Sequence, residues 1–250
     1  MTQPVPAAHA RADRLDALRG LAMLWMAAFH FSFDLNHFGL LEPAQNFYRD
    51  PFWTWQRTAI VSLFLLCAGM GQALAREAGQ SPERFWRRWA QVAGCALLVS
   101  VGSAFMFPRS WISFGVLHGI AVMLLLLRFA APAGRWRWLA WPVGLLALLL
   151  PLWVQHPFFD SRWTGWVGLV TRKPVTEDFV PLLPWFGVML WGFAAASLAR
   201  TPGRPGWMFG ALPRALTPLA ALGRWPLSFY MLHQPVLIGL VLLGKTMSGR

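Results

Sequence analysis

Apolar residues run in long unbroken stretches, and seven of these are long enough to cross the ~30 Å of bilayer hydrocarbon. They predict helices near 15–37, 52–75, 88–107, 111–130, 137–153, 180–199 and 225–246. The fifth is the shortest and is interrupted by Pro142. Barrel strands would show short alternating segments instead of continuous runs. The pattern therefore predicts an all-α, polytopic transmembrane helix bundle of about seven helices. The first run holds His30, reaches Asp34 and is followed by no small-residue cleavage site, so it reads as a retained helix and not as a secretory leader.

The gaps between runs set the orientation, because Lys and Arg accumulate on the cytoplasmic side. With the N-terminus inside, the inner segments hold 14 of the 22 basic residues and the outer segments hold 8. The inner set is Arg11, Arg14 and Arg19; Arg76, Arg84, Arg87 and Arg88; Arg128, Arg135 and Arg137; Arg200, Arg204, Arg214 and Arg224. Residues 1–14 then form a cytoplasmic tail, 15–250 a single transmembrane domain, and the C-terminus lies outside. The outer loop 154–179 carries Phe158, Phe159, Trp163 and Trp166, which suit a segment lying on the membrane surface. The segment 201–224, rich in Pro and Gly, reads as a cytoplasmic linker.

Composition agrees. The chain of 250 residues is 56% hydrophobic and 13% charged, about half the charge of a soluble domain. Its formal charge of +12 lies in short gaps between apolar runs. That placement signals topology and lipid contact, and it excludes a nucleic-acid partner. Cys67 and Cys95 both fall inside apolar runs and read as small buried hydrophobes.

The first helix carries the most chemistry. At 100° per residue, Asp16, Arg19, His30, Asp34 and His37 fall within an arc of roughly 60°. Lipid-facing ionisable groups are costly, so this stripe faces the bundle interior or a wet cavity. His30 and Asp34 stand one turn apart and are expected to pair, either as a general base or nucleophile oriented by a carboxylate, or as a polar contact gluing helices. His118 and His233 also fall inside spans. At 1.5 Å per residue the three histidines sit ~12 Å (His233), ~16 Å (His30) and ~20 Å (His118) from the inner face. Pro235 frees the carbonyl of Met231, which either lines a cavity or marks a kink. Gly69 and Gly71 read as close helix packing. Arg19, Arg84, Arg87, Arg88 and Arg224 are candidates for holding phosphates at the inner face. No P-loop, GxSxG elbow or HExxH motif is present, so no metal is expected.

Several stretches resemble the heparan-alpha-glucosaminide N-acetyltransferase catalytic-domain family, a branch of the transmembrane acyltransferases. They are Arg14 to Ala22 (RLDALRGLA), Phe29 to Asn36 (FHFSFDLN), Phe114 to His118 (FGVLH), Pro181 to Gly187 (PLLPWFG), Leu222-Gly223-Arg224 and Tyr230 to Pro235 (YMLHQP). The resemblance is to short bacterial members. It implies an inner-membrane enzyme that takes acetyl-CoA from the cytoplasmic side and passes the acetyl group to an acceptor, sugar-containing, at the far side. It also implies a catalytic histidine. The family's proposed one lies farther past the Arg-Gly pair than His30 does here, which makes His37 a rival to His30. His118 and His233 would orient the thioester or relay protons. A homo-oligomer is compatible. Two other readings of the same residues stand beside this one: a proton-coupled transporter using the polar stripe as a relay, and a non-catalytic membrane scaffold.

Overall fold

The computed structural model describes residues 12–132, 134–199, 207–209 and 211–247. Most of the predicted tail 1–14, with Arg11, lies outside the described residues, as do Arg200, Arg204, Arg250 and residues 201–206 and 210 of the expected linker.

The long apolar runs fold as helices: α1 (Asp13–His37), α2 (Pro51–Glu77), α3 (Pro82–Met106), α4 (Val116–Phe129), α5 (Ala140–Trp153), α6 (Leu182–Ala199), the short α7 (Thr217–Gly223) and α8 (Pro226–Met247). No strand is formed among the described residues. Four segments are long and apolar enough to span a membrane by length and composition: 51–77, 82–106, 134–153 and 226–247. Proline and a capping side chain start α2 and α3. Asp50 accepts the Phe52 N–H at 2.8 Å with Pro51 at the first helical position, and Ser81 does the same for Arg84 ahead of Pro82. Pro lacks the N–H that a helix start would leave unpaired anyway.

Consecutive long helices alternate in direction. One end of the bundle, here the basic end, holds the starts of α1, α3 and α8. The other, the loop end, holds the segments 38–50, 107–115 and 154–181. The tie of Arg224 to Asp13 closes the basic end, and Lys245 donating to the Phe38 carbonyl closes the loop end. α6 packs along α2 and α5, α1 is flanked by α2, α7 and α8, and α3 rests chiefly on α4. Glycines allow the closest approaches. A methyl added at Gly69 would collide with the Met189 carbonyl, and one at Gly192 with Leu66, so α2 and α6 touch backbone to backbone. Gly144 faces Gly187 between α5 and α6, and Gly20 and Gly223 do the same for α1 and α7. Small residues at helix crossings are how membrane helices gain dispersion contact without a hydrophobic drive. Gly71 differs from the packing expected of it, since it makes room for the Arg19 guanidinium. The apolar core is built on Leu65, Met123, Leu127, Met189 and Leu190, with a second, aromatic cluster around Met26, Phe29, Phe47 and Ile60.

Three sequence expectations are corrected. The fourth helix begins at Val116 and not at 111. Residues before it are extended, with Phe114 bridging Phe179, and Asp178 takes the first helical amide, Val116 N–H, at 2.7 Å. Pro142 does not interrupt α5 but sits in its first turn, where a missing N–H costs little. The stretch expected as linker folds in part: 217–223 is helix α7, held against α1 by the Gly20–Gly223 contact.

Candidate functional site

One cavity of about 890 Å³ runs between α1, α2, α3, α4 and α8 and reaches both ends of the bundle. At the basic end it is lined by Asp16, Arg19, Gln72, Gln80, Arg88 and Arg224. In the middle it meets His30, His233 and Gln234. At the loop end it meets Tyr48, Arg57, Glu177 and Asp178. Apolar side chains fill the walls between these levels, among them Val61, Phe64, Val92, Val99, Leu227 and Ile238.

The midpoint is an imidazole pair. His30 on α1 and His233 on α8, 203 positions apart, place Nδ1 of the first 2.9 Å from Nε2 of the second, with the rings stacked at 5.0 Å. His233 Nδ1 lies 2.7 Å from the Tyr230 carbonyl, which can only accept, so this nitrogen carries the proton. With both rings neutral, His233 Nε2 is bare and accepts from His30 Nδ1–H. Nε2 of His30 is then its unprotonated nitrogen. A ring whose tautomer is fixed in this way is a ready general base.

His30 thus pairs with His233 and not with Asp34. The reason is the approach of α8: its next residue, Gln234, donates from Nε2 to Asp34 Oδ1 at 2.8 Å and draws the carboxyl away. Asp34 is 3% exposed, and its Oδ2 has no hydrogen-bond partner. His37 sits beyond the cavity, exposed at the loop end of α1 and stacked on Phe33. His118 is also elsewhere. Its Nδ1 accepts the Gly115 N–H at 3.2 Å, leaving Nε2–H to meet Ser100 Oγ at 3.1 Å, while Ser100 donates to the Ile112 carbonyl. That is a satisfied ring tying the start of α4 to α3, outside the cavity lining.

Of the five candidate arginines, Arg19, Arg88 and Arg224 line the cavity, the last two at its exposed mouth, whereas Arg84 and Arg87, also exposed, do not line it. Arg19 is ion-paired with Asp16 at 2.8 Å, and Arg224 with Asp13 at 3.4 Å. Arg88 meets no carboxylate among the described residues and donates to Gln91 Oε1 at 3.3 Å. Beside it, Gln72 is 7% exposed and its Nε2 has no partner, and neither has Gln80 Oε1. The basic end of the cavity therefore offers an uncompensated cation and unspent amide groups.

The loop end was not found from sequence. Glu177 accepts from Tyr48 Oη at 3.0 Å and from Ser110 Oγ. Asp178 is held by Val116 N–H, and burial pushes its carboxyl above the ordinary carboxylate range despite the opposing pull of Arg57 and Lys173. Glu177 and Asp178 are adjacent in the sequence. Their position immediately before the sixth helix was the available signal.

A helix bundle with membrane-length apolar segments, penetrated by a cavity that joins cations, imidazoles and carboxylates, has the build of an integral membrane protein. A family model, heparan-alpha-glucosaminide N-acetyltransferase, catalytic, matches residues 11–235. The chain belongs to that family and, with it, to the membrane acyltransferases. Comparison with curated proteins and with solved structures found no match.

Proposed function

We propose that the protein transfers an acetyl group from acetyl-CoA, bound at the basic end, to a sugar-containing acceptor entering from the loop end. The observation that carries this reading is the single cavity with a tautomer-fixed imidazole pair midway between a cationic rim and a carboxylate rim. The CoA phosphates are anions, and Arg88, Arg224 and Arg19 are the cations facing the cavity. The pantetheine arm then follows the apolar walls to bring the thioester to His30.

The chemistry follows from the unprotonated Nε2 of His30. As an acceptor hydroxyl or amine attacks the thioester carbonyl, Nε2 takes its proton. The new acetyl–oxygen or acetyl–nitrogen bond forms and the carbon–sulfur bond breaks. The CoA thiolate leaves and recovers the proton from the His30 imidazolium. His233 steadies that cation through the Nδ1–H bond. At the other end Glu177, Tyr48 and Arg57 supply acceptors and donors of the kind that hold sugar hydroxyls. With the positive-inside rule, the basic end is cytoplasmic, the N-terminus inside and the C-terminus outside a bacterial inner membrane.

The test uses the protein in proteoliposomes with acetyl-labelled acetyl-CoA and an amino sugar on opposite faces. Label is expected in the acceptor only when acetyl-CoA is supplied at the basic end. Arg88→Ala and Arg224→Ala should each raise KM for acetyl-CoA by about tenfold, the worth of one charge-assisted hydrogen bond of ~1.5–3 kcal/mol less solvent screening. Sugar flux that is indifferent to acetyl-CoA would overturn the proposal in favour of a transporter.

A further inference from the structure

The cavity is not walled on every side. α3 and α8 both line it, yet they touch each other only sparsely: α3 rests chiefly on α4, and α8 on α1. Gly102 and Met106 of α3 and Pro235 of α8 line the cavity and are exposed, and their neighbours Val101, Phe105 and Val236 are exposed without lining it. A methyl added at Gly102, or at Gly239 one turn beyond Pro235, would meet nothing within 4 Å. Outside this opening lie Val101, Phe105, Val236, Leu240 and Leu243, exposed apolar residues of the two helices. Such a surface faces hydrocarbon. The cavity therefore opens sideways into the bilayer as a slot, placed in the loop-end half of α3 and at the middle of α8.

The slot and the loop-end rim divide the chemistry. The rim is polar, with Tyr48, Arg57, Glu177 and Asp178. The slot walls, Val99, Gly102, Met106, Pro235 and Ile238, are apolar, and of the polar side chains that line the cavity among them, Ser103 gives its hydroxyl to the Ser100 carbonyl and Gln234 donates to Asp34. A free sugar has nothing to offer such a wall, since burying its hydroxyls unpaired is costly. A hydrocarbon chain fills it without loss. CoA does not need the slot, because its anionic groups are matched at the opposite end.

We propose that the acceptor is an amphiphile, a sugar head carried on a lipid tail, which enters from the bilayer between α3 and α8. The head sits at the Tyr48–Glu177 rim within reach of His30, and the tail remains in the slot in contact with lipid. Delivery from the membrane confines the acceptor to the depth of the imidazole pair, which raises its effective concentration there. This inference rests on the acyltransferase reading above and specifies its acceptor.

Two measurements keep the two readings separable. The first needs no turnover: a dodecyl glucosaminide with a diazirine in its tail is photolysed with the protein in proteoliposomes, and labelled peptides are mapped. Label is expected on α3 around 99–106 and on α8 around 235–239, and is lost in competition with unlabelled dodecyl glucosaminide. The second compares acetyl transfer to dodecyl glucosaminide and to free glucosamine in Gly102→Trp and Gly239→Trp. Both variants point a large side chain into open space, so the fold is not stressed at those positions. Transfer to the tailed acceptor should fall about tenfold more than transfer to glucosamine, the range over which an altered apolar pocket discriminates. Label spread evenly over all lipid-facing helices, or equal losses for both acceptors, overturns the amphiphile. So does label on α3 and α8 displaced by a second copy of the chain, which would make the slot a dimer contact. Absence of transfer to either acceptor by the wild type, with the α3–α8 label intact, overturns the acyltransferase reading and leaves a lipid site.

Discussion

His233 and His30 should fail differently when removed, and the structure says by how much. His233→Ala deletes the acceptor for His30 Nδ1–H, a bond of 2.9 Å inside the bundle. A net hydrogen bond is worth ~0.5–1.5 kcal/mol, and a buried donor left without a partner costs ~1–3 kcal/mol. At ~1.4 kcal/mol per factor of ten, kcat should fall by between a few-fold and about a hundredfold. His30 remains able to act as a base, but its tautomer and orientation are no longer fixed. His30→Ala removes the base itself, worth ~10²–10⁴ in rate. Because the two rings act as one unit, the double variant should be no worse than His30→Ala alone. His233→Gln, whose amide oxygen can still accept, should recover part of the loss. Initial rates of labelled acetyl transfer at saturating acetyl-CoA measure all four. The assignment is refuted if His233→Ala matches or exceeds His30→Ala, or if the double variant multiplies the two single effects.

Two further outcomes are expected. Gly223→Ala forces a methyl into the Asp16 carbonyl on α1, so it should cost ~1–3 kcal/mol and lower the melting temperature in detergent by several degrees, whereas Gly94→Ala, facing open space, should not. Asp178→Asn keeps an acceptor for Val116 N–H and removes a carboxyl that burial holds above its ordinary range. A raised folded-state value means that Asp178 adds nothing unfavourable below the unfolded value and costs stability as pH rises above it. The melting temperature of the variant relative to wild type should therefore climb from pH 4 to pH 8, and a flat or falling difference would contradict the burial argument.

The helical bundle was legible because a bilayer imposes one length and one composition on whatever crosses it, as in the four segments of spanning length, and the glycine at position 69 was legible because membrane helices meet through small residues. Which arginines of α3 border the cavity was not legible: Arg88 does and Arg84 and Arg87 do not, although all three are exposed, and the difference depends on which face of α3 meets α4. His118 shows how a local error becomes a chemical one. Counting depth along a helix from 111 put it beside His30. The helix starts at 116, because Gly115 and the Asp178 carboxylate fix its beginning, and that places His118 in the first turn with its own partners. The loop-end acids were missed since nothing in the spacing of Glu177 and Asp178 tells that the loop folds back over α4. The contact between His30 and His233 spans 203 positions and depends on α8 lying against α1.

The exchange of the expected His30–Asp34 pair for two separate pairs has a physical logic. A charged imidazolium–carboxylate pair held at bilayer depth would carry the desolvation of two ions, which its mutual attraction repays only in part. The structure instead sets one imidazole against the other and gives the carboxyl to an amide. Asp34 then acts through the chain: by holding Gln234 it fixes the register of α8 against α1, and the residue before Gln234 is His233. A carboxylate placed this way positions the imidazole pair without sharing its proton, so on the proposed reading His30 would accept a substrate proton without first surrendering a counter-ion. On the proposed acyl-transfer reading, the charge that appears on His30 would be transient and met by His233 across a bond already formed, which is what preorganisation requires of a base inside a membrane.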